Sequence, residues 1–153
     1  MTAMRIWVDA DAIPGGVRTL IERTADKRRI ETVFVADKYV RISLSPWLRC
    51  ETVVQGPDAA DDLIAERAEP GDICVTQDIP LAARLVKKGV CAIDPRGSVH
   101  TEASVGERLS IRNFMEDLRG AGVVTGGPAP FGPRDVQRFA DAFDREITRR
   151  RRG

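Results

Sequence analysis

Histidine occurs once in this 153-residue chain, as His100, and cysteine three times, as Cys50, Cys74 and Cys91. A serine or cysteine triad would have to use that one imidazole, and no partner stands at a recognisable spacing from it. The cysteines lack metal-ligand spacing, and their odd number argues against a disulfide framework. Cys74 and Cys91 fall in apolar runs, so they read as reduced core thiols of a cytoplasmic protein. No apolar run is long enough to span a bilayer, and the start lacks a signal-peptide pattern, so no membrane partner is expected. Excess charge of one sign is also missing: 24 basic and 23 acidic residues leave a net charge of +1. No global field therefore steers the chain toward nucleic acid. The basic residues do gather at "ITRRRRG", at about 148–153, which reads as a solvated helix end or, less simply, as an arm touching phosphate.

What is present is an ordinary globular composition, 42% hydrophobic and 31% charged, of a length suited to one domain over 1–153. Short β-branched runs alternate with helical periods. "RIWVDA" (5–10), "TVFVAD" (32–37), "ETVVQG" (51–56), "DICVTQD" (72–78) and "VCAID" (90–94) read as strands. Their nearly continuous apolar character fits strands buried on both faces of a parallel sheet.

Helical faces lie between them. Val17, Leu20, Ile21 and Thr24 follow Pro14; Ala60, Ile64 and Ala68 precede Pro70-Gly71; "IPLAARLVKKG" ends on lysines and Gly89. The segment "KYVRISLSPWLR" has no clear period. Ser104 with Glu107 has the form of a capping box ahead of an apolar face of Ile111, Phe114, Met115 and Leu118. After the Gly/Pro-rich linker "GAGVVTGGPAPFGP", a closing helix carries Val136, Phe139, Phe143 and Ile147 on one face. The expected architecture is α/β, a three-layer sandwich around a mostly parallel five-stranded sheet.

In such sheets ligands sit outside the carboxyl ends of the strands, where the strand order reverses. Aspartates fall at that edge after three different strands: Asp9 and Asp11 after the first, Asp58, Asp61 and Asp62 after the third, and Asp78 after the fourth. The spacing of Asp58, Asp61 and Asp62 lets them share one helix face. Any one of these can be a helix N-cap, as can Asp37 and Asp94 at other strand ends. A cap needs a single side chain, however, and two of the connections supply two and three. Carboxylates within about 4–6 Å of one another raise each other's pKa. A divalent cation removes that repulsion, and all-oxygen donors favour Mg²⁺ or Mn²⁺ over zinc. The cluster reads as a metal site for phosphoryl chemistry.

The segments "VDADAIP", "DAADDLIAERAEPGDICVTQDIPLA", "KKGVCAIDPRG", "LSIRNFMEDLRGAG" and "TGGPAPF" together resemble the YaiI/YqxD-like family of bacterial proteins, in order and over nearly the whole chain. That family is placed among the PIN-like domains, mostly metal-dependent nucleases. The resemblance implies a catalytic set in which Asp9 ends the first strand, Asp61 lies in "DDLIA" and Asp78 in "TQD". Asp11, Asp58 and Asp62 are then further metal ligands or their supports. Family members usually read "DADACP"; Ile13 stands at the cysteine position, which argues against thiol chemistry there, and Gly15-Gly16 softens the first helix turn.

The implied activity is Mg²⁺/Mn²⁺-dependent phosphodiester hydrolysis, on RNA more readily than DNA. Arg96, Arg112 and Thr76 are the expected substrate-side residues. One alternative is a phosphatase similar to the haloacid dehalogenase group, with Asp9 as nucleophile and Asp11 as acid/base. Its lysine is hard to place, since Lys87 and Lys88 lie at a helix end. Another is a nucleic-acid-binding module without catalysis.

Overall fold

Strands apolar on both faces need cover on both faces, and the apolar stripes of the neighbouring helices supply it. In the computed structural model, which describes residues 3–54, 56, 58–122 and 130–151, five strands form one sheet: β1 (Ile6–Asp9), β2 (Thr32–Ala36), β3 (Leu48–Thr52), β4 (Ile73–Val75) and β5 (Cys91–Ile93). Every strand pair is parallel, and the order is β3-β2-β1-β4-β5. Five helices surround the sheet: α1 (Gly15–Arg28), α2 (Ala59–Arg67), α3 (Ile79–Lys88), α4 (Glu102–Gly120) and α5 (Pro133–Arg151). Among the described residues no helix is long and apolar enough to cross a membrane.

Alternation along each strand sorts the core into two layers. Ile6, Val8, Phe34, Ile73, Val75 and Ile93 face α1 and α5, where Val17, Ile21, Ala25, Phe139, Phe143 and Ile147 are buried against them. Trp7, Val33, Val35 and Cys74 face α2 and α3, meeting Ala60, Ile64, Leu81 and Leu85. A smaller cluster of Ala82, Ala92 and Val105 seats the start of α4 against α3 and β5. The result is a three-layer sandwich, with the sheet wholly parallel.

The third strand lies earlier than its sequence pattern implies. Leu48–Thr52 pairs with β2, whereas the apolar Val53 and Val54 lie beyond it, Val54 being 80% exposed. As an edge strand, β3 is covered less than the others, and its alternation of buried Leu48 with exposed Arg49 weakens the apolar signal. The preceding segment, 37–47, forms neither helix nor strand. It is fastened instead by the Ser43 N–H donating to buried Glu22 and by the Ser45 hydroxyl donating to Asp26.

Two helix starts differ as well. α4 is capped by Thr101, whose hydroxyl accepts from the Ser104 N–H while the Ser104 hydroxyl accepts from the Thr101 N–H. Ser104 is thus the third helical residue, and Glu107 takes no part in the box. The apolar face further along α4 is only partly used, with Ile111 51% and Phe114 60% exposed. The linker expected over 120–133 is shorter, since α4 runs through Gly120 and α5 opens at Pro133; residues 123–129 lie outside the described residues.

α5 continues through Arg151 in place of a frayed end. Arg150 pairs with buried Glu146 at 2.7 Å, Arg149 approaches it at 3.6 Å, and Arg151 donates to the Arg28 carbonyl. The tail's arginines are therefore partly internal partners. Arg152 and Gly153 lie outside the described residues.

Candidate functional site

The chain leaves β1 for β2 and β3 on one flank, then returns to place β4 and β5 on the other. Strand order thus reverses between β1 and β4, the point at which open parallel sheets form a crevice. Asp9 closes β1. Thr76, Gln77 and Asp78 leave β4 beside it. A cleft of about 920 Å³ opens there, lined by Asp9, Asp11, Asp61 and Asp78 and, from α4, by Arg108, Ile111 and Arg112.

Thr76 organises the centre. Its side chain is fully buried, and its hydroxyl donates to Asp9 Oδ2 at 2.8 Å while accepting the Asp78 N–H at 3.0 Å. One hydroxyl therefore sets the spacing between the two connections that bound the crevice. Asp78 also caps α3, its Oδ1 accepting the Leu81 N–H at 2.8 Å. Capping and site membership coexist, because a carboxylate has a second oxygen. Thr76 acts on Asp9 and Asp78 and is absent from the cleft lining.

Asp61 reaches the cleft from the first turn of α2, where it meets Asp78. Burial, then the charges of Asp78 and Asp9, push Asp61 up to about 7. Burial is also the main cause raising Asp9; the Thr76 hydrogen bond opposes it, and the charges of Asp78 and Asp11 add to it. Asp11 is raised by burial despite accepting the Asp37 N–H on both oxygens, at 3.1 and 3.2 Å. The charges of neighbouring acids thus add to burial in raising both Asp61 and Asp9.

The remaining expected residues divide. Asp58 and Asp62 do not share Asp61's face of the cleft: both line an adjoining groove, and Asp62 pairs with Arg84 at 2.8 Å. Asp58 reaches the site through its charge on Asp61. The helix turns about 100° per residue, so only one of the three acids in "DAADD" meets the strand tips. Arg112 lines the cleft as expected and pairs with Glu116 along its own helix at 3.4 Å.

Arg96 is elsewhere, held by Asp135 at 3.2 Å and stacked over Phe131. The turn that carries it folds back on α5 around Gly97. There φ is +95° and an added Cβ would meet the Arg138 carbonyl group at 2.7 Å, so this close approach requires glycine.

Gln77 and Arg108 were not singled out by the sequence reading. Arg108 carried one usable signal, a position four residues before Arg112 and hence on the same helix face. Among the described residues, no three Asp, Glu, His or Cys side chains stand in the arrangement of a metal centre. The donors nevertheless fit a hard divalent cation in kind, and their mutual repulsion is what such an ion relieves.

Residues 7–149 match the family described as uncharacterized BCR, YaiI/YqxD. The chain belongs to that family. It is 56% identical over 147 residues to a UPF0178 protein of Syntrophobacter fumaroxidans, covering 96% of each chain. It is 53% identical over 146 residues to one of Myxococcus xanthus, covering 95% of each. A UPF0178 protein of Pseudomonas fluorescens is 50% identical over 146 residues, 95% of this chain and 97% of that one. No solved structure matches the chain. The family names carry no activity, so the chemistry rests on the cleft.

Proposed function

We propose that this YaiI/YqxD-family protein is a cytoplasmic, Mg²⁺- or Mn²⁺-dependent phosphodiesterase of PIN-like kind, acting on RNA more readily than DNA. One observation carries the reading: Asp9, Asp61 and Asp78, from three separate connections, meet at the sheet's reversal point in a cleft that two arginines also line, and burial with the charges of neighbouring acids raises Asp9 and Asp61. A purely structural acid is expected to be paired, and these are held against each other.

Asp9, Asp61 and Asp78 would hold the ion, with Asp11 beside them. A bound divalent cation supplies an acidified water and neutralises charge on phosphate. The chain's own contribution is positional. Thr76 fixes Asp9 against the Asp78 backbone, and the α3 cap fixes one oxygen of Asp78. The positive charge of the arginines that line the cleft attracts a phosphate backbone, whose contacts carry no base information.

The phosphatase alternative gains no support from the geometry. Asp11 is turned to the Asp37 N–H, and Lys88 donates to the Ala65 and Glu66 carbonyls. The test is cleavage of single-stranded and structured RNA and DNA by purified protein with Mn²⁺ or Mg²⁺. Metal-dependent cleavage lost in Asp9→Asn and Asp78→Asn is the expected result. Intact substrates under broad conditions would overturn the nuclease reading, and binding without cleavage would leave a recognition module.

A further inference from the structure

We propose that Arg108 is the phosphate-binding residue of the cleft, its head group fixed by the turn that follows β5, whereas Arg112 supplies only background charge. The assignment rests on the phosphodiester reading above and gives it a specific contact. Arg108 lines the same cleft as Asp9, Asp61 and Asp78. Its two terminal nitrogens are each met by the 94–98 turn: Asp94 Oδ2 lies 3.6 Å from Nη1, and Ser98 Oγ accepts from Nη2 at 3.2 Å. A guanidinium has five donors in a rigid fork, so these two contacts orient it and leave capacity for the paired oxygens of a phosphate.

The bracket itself is stiff. Asp94 accepts the Arg96 N–H at 2.6 Å, the Asp94 N–H donates to the Ser98 carbonyl, and the His100 N–H donates to the Ala92 carbonyl. Gly97 locks the turn against the backbone of α5. His100 is buried at the same corner, and burial, then the Arg108 charge, lower its pKa, so it adds no second cation.

Arg112 differs in each respect. It sits one turn further along α4, about half exposed, and its ion pair is to Glu116 on the same helix. Such exposed pairs are weak and leave a long side chain mobile. A guanidinium tied to the scaffold loses less freedom on binding than one that is not.

Two measurements test the assignment. In the first, inorganic phosphate is titrated into the wild-type protein and the arginine Nε–Hε resonances are followed by NMR. The Arg108 signal should shift well beyond that of Arg112; equal shifts, or a larger one at Arg112, overturn the proposal.

In the second, binding of a labelled single-stranded RNA of about 12 nucleotides is measured in Ca²⁺ across a salt series. Arg108→Gln should weaken binding about 10-fold and lower the salt slope by about one. Arg108→Lys should keep the slope and part of the affinity, because charge survives and the fork does not. Arg112→Gln should change affinity less than about 3-fold. An unchanged slope in folded Arg108→Gln overturns the proposal; should that variant not fold, the phosphate titration decides.

The two readings fail separately. If RNA does not bind but phosphate shifts Arg108, the nuclease reading falls and the phosphate contact stands. If RNA binds and is cleaved while Arg108→Gln behaves as wild type, the contact falls alone.

Discussion

The two ends of the sheet treat buried acids in opposite ways. At the amino-terminal end, Asp72 is 4% exposed, and its carboxylate accepts the Arg5 and Glu69 N–H groups and the Trp7 indole N–H. Glu146, 2% exposed, is ringed by Arg145, Arg149 and Arg150. Those acids have donors or cations for partners. At the carboxyl-terminal end, Asp9, Asp61 and Asp78 have one another, one hydroxyl and a helix cap. Desolvating a charge is costly unless it is paired, so the fold compensates the acids it uses as anchors. The uncompensated set is the one to which the proposed function assigns the cation.

The largest expected effect follows from that division. Asp9→Asn should lower metal-dependent cleavage on the order of 100-fold or more, the loss typical of removing a preorganised electrostatic group. Its unfolding free energy should stay at or above wild type, since Asn keeps an oxygen for Thr76 and removes a repelled charge. A variant that loses activity and stability together would mark Asp9 as an anchor and break the contrast. Asp72→Asn should do the reverse. It places an amide among three donors: its oxygen can serve the Trp7 and Glu69 donors that share Oδ2, but its NH2 then faces the Arg5 N–H, at a cost of about 3 kcal/mol in urea unfolding. A cost below about 1 kcal/mol would show that the amino-terminal network is incidental.

Glu146→Gln belongs between these. Without the carboxylate charge, Arg149 and Arg150 lose their shared partner, but both retain solvent, so a loss of about 1–2 kcal/mol is expected. The effect should shrink in high salt only slightly, because the acid is buried and poorly screened. A loss abolished by salt would place the pairing at the surface and make the tail of α5 a solvated end after all.

The sequence made the uncompensated acids visible because three connections each begin with aspartate just past an apolar run, and parallel topology sends such positions to one edge. Strands β1, β2, β4 and β5 were readable for the same reason: buried on both faces, they are apolar throughout. β3 was not, since an edge strand needs little cover, and the Val53-Val54 pair downstream carried a stronger signal than Leu48 with Arg49.

Which of Asp58, Asp61 and Asp62 faces the cleft depends on the rotation of α2 against the sheet, which Ala60 and Ile64 set by packing. Arg96 and Arg108 posed a harder problem. Their roles depend on whether the turn after β5 folds toward α5 or toward the cleft, and that direction follows from a long-range contact of Gly97 with Arg138. The compensated acid Asp72 gave little local sign, because two of its three donors are 65 and 67 residues away.

The smallest effect discriminates most finely between the two ends. Asp61 is raised from 3.8 to about 7, so its folded pKa lies above its unfolded one. The sign is that of a group favoured when protonated: its contribution is fully present below about 4 and is lost as pH rises through about 7. In metal-free buffer the wild-type protein should therefore lose stability across that window. Asp61→Asn cannot ionise, so it should unfold with about 1 kcal/mol more stability than wild type at pH 8, a figure discounted for the screening of a half-buried group. At pH 4 the two should agree. Millimolar Mg²⁺ should then stabilise wild type at pH 8 more than Asp61→Asn, because the variant has lost one of the carboxylates that would hold the cation. Equal stabilisation of both proteins by Mg²⁺ would move the cation away from Asp61. A wild-type profile flat between pH 4 and 8 would mean that the carboxyl-terminal acids are as well compensated as Asp72, and the contrast between the two ends would be lost.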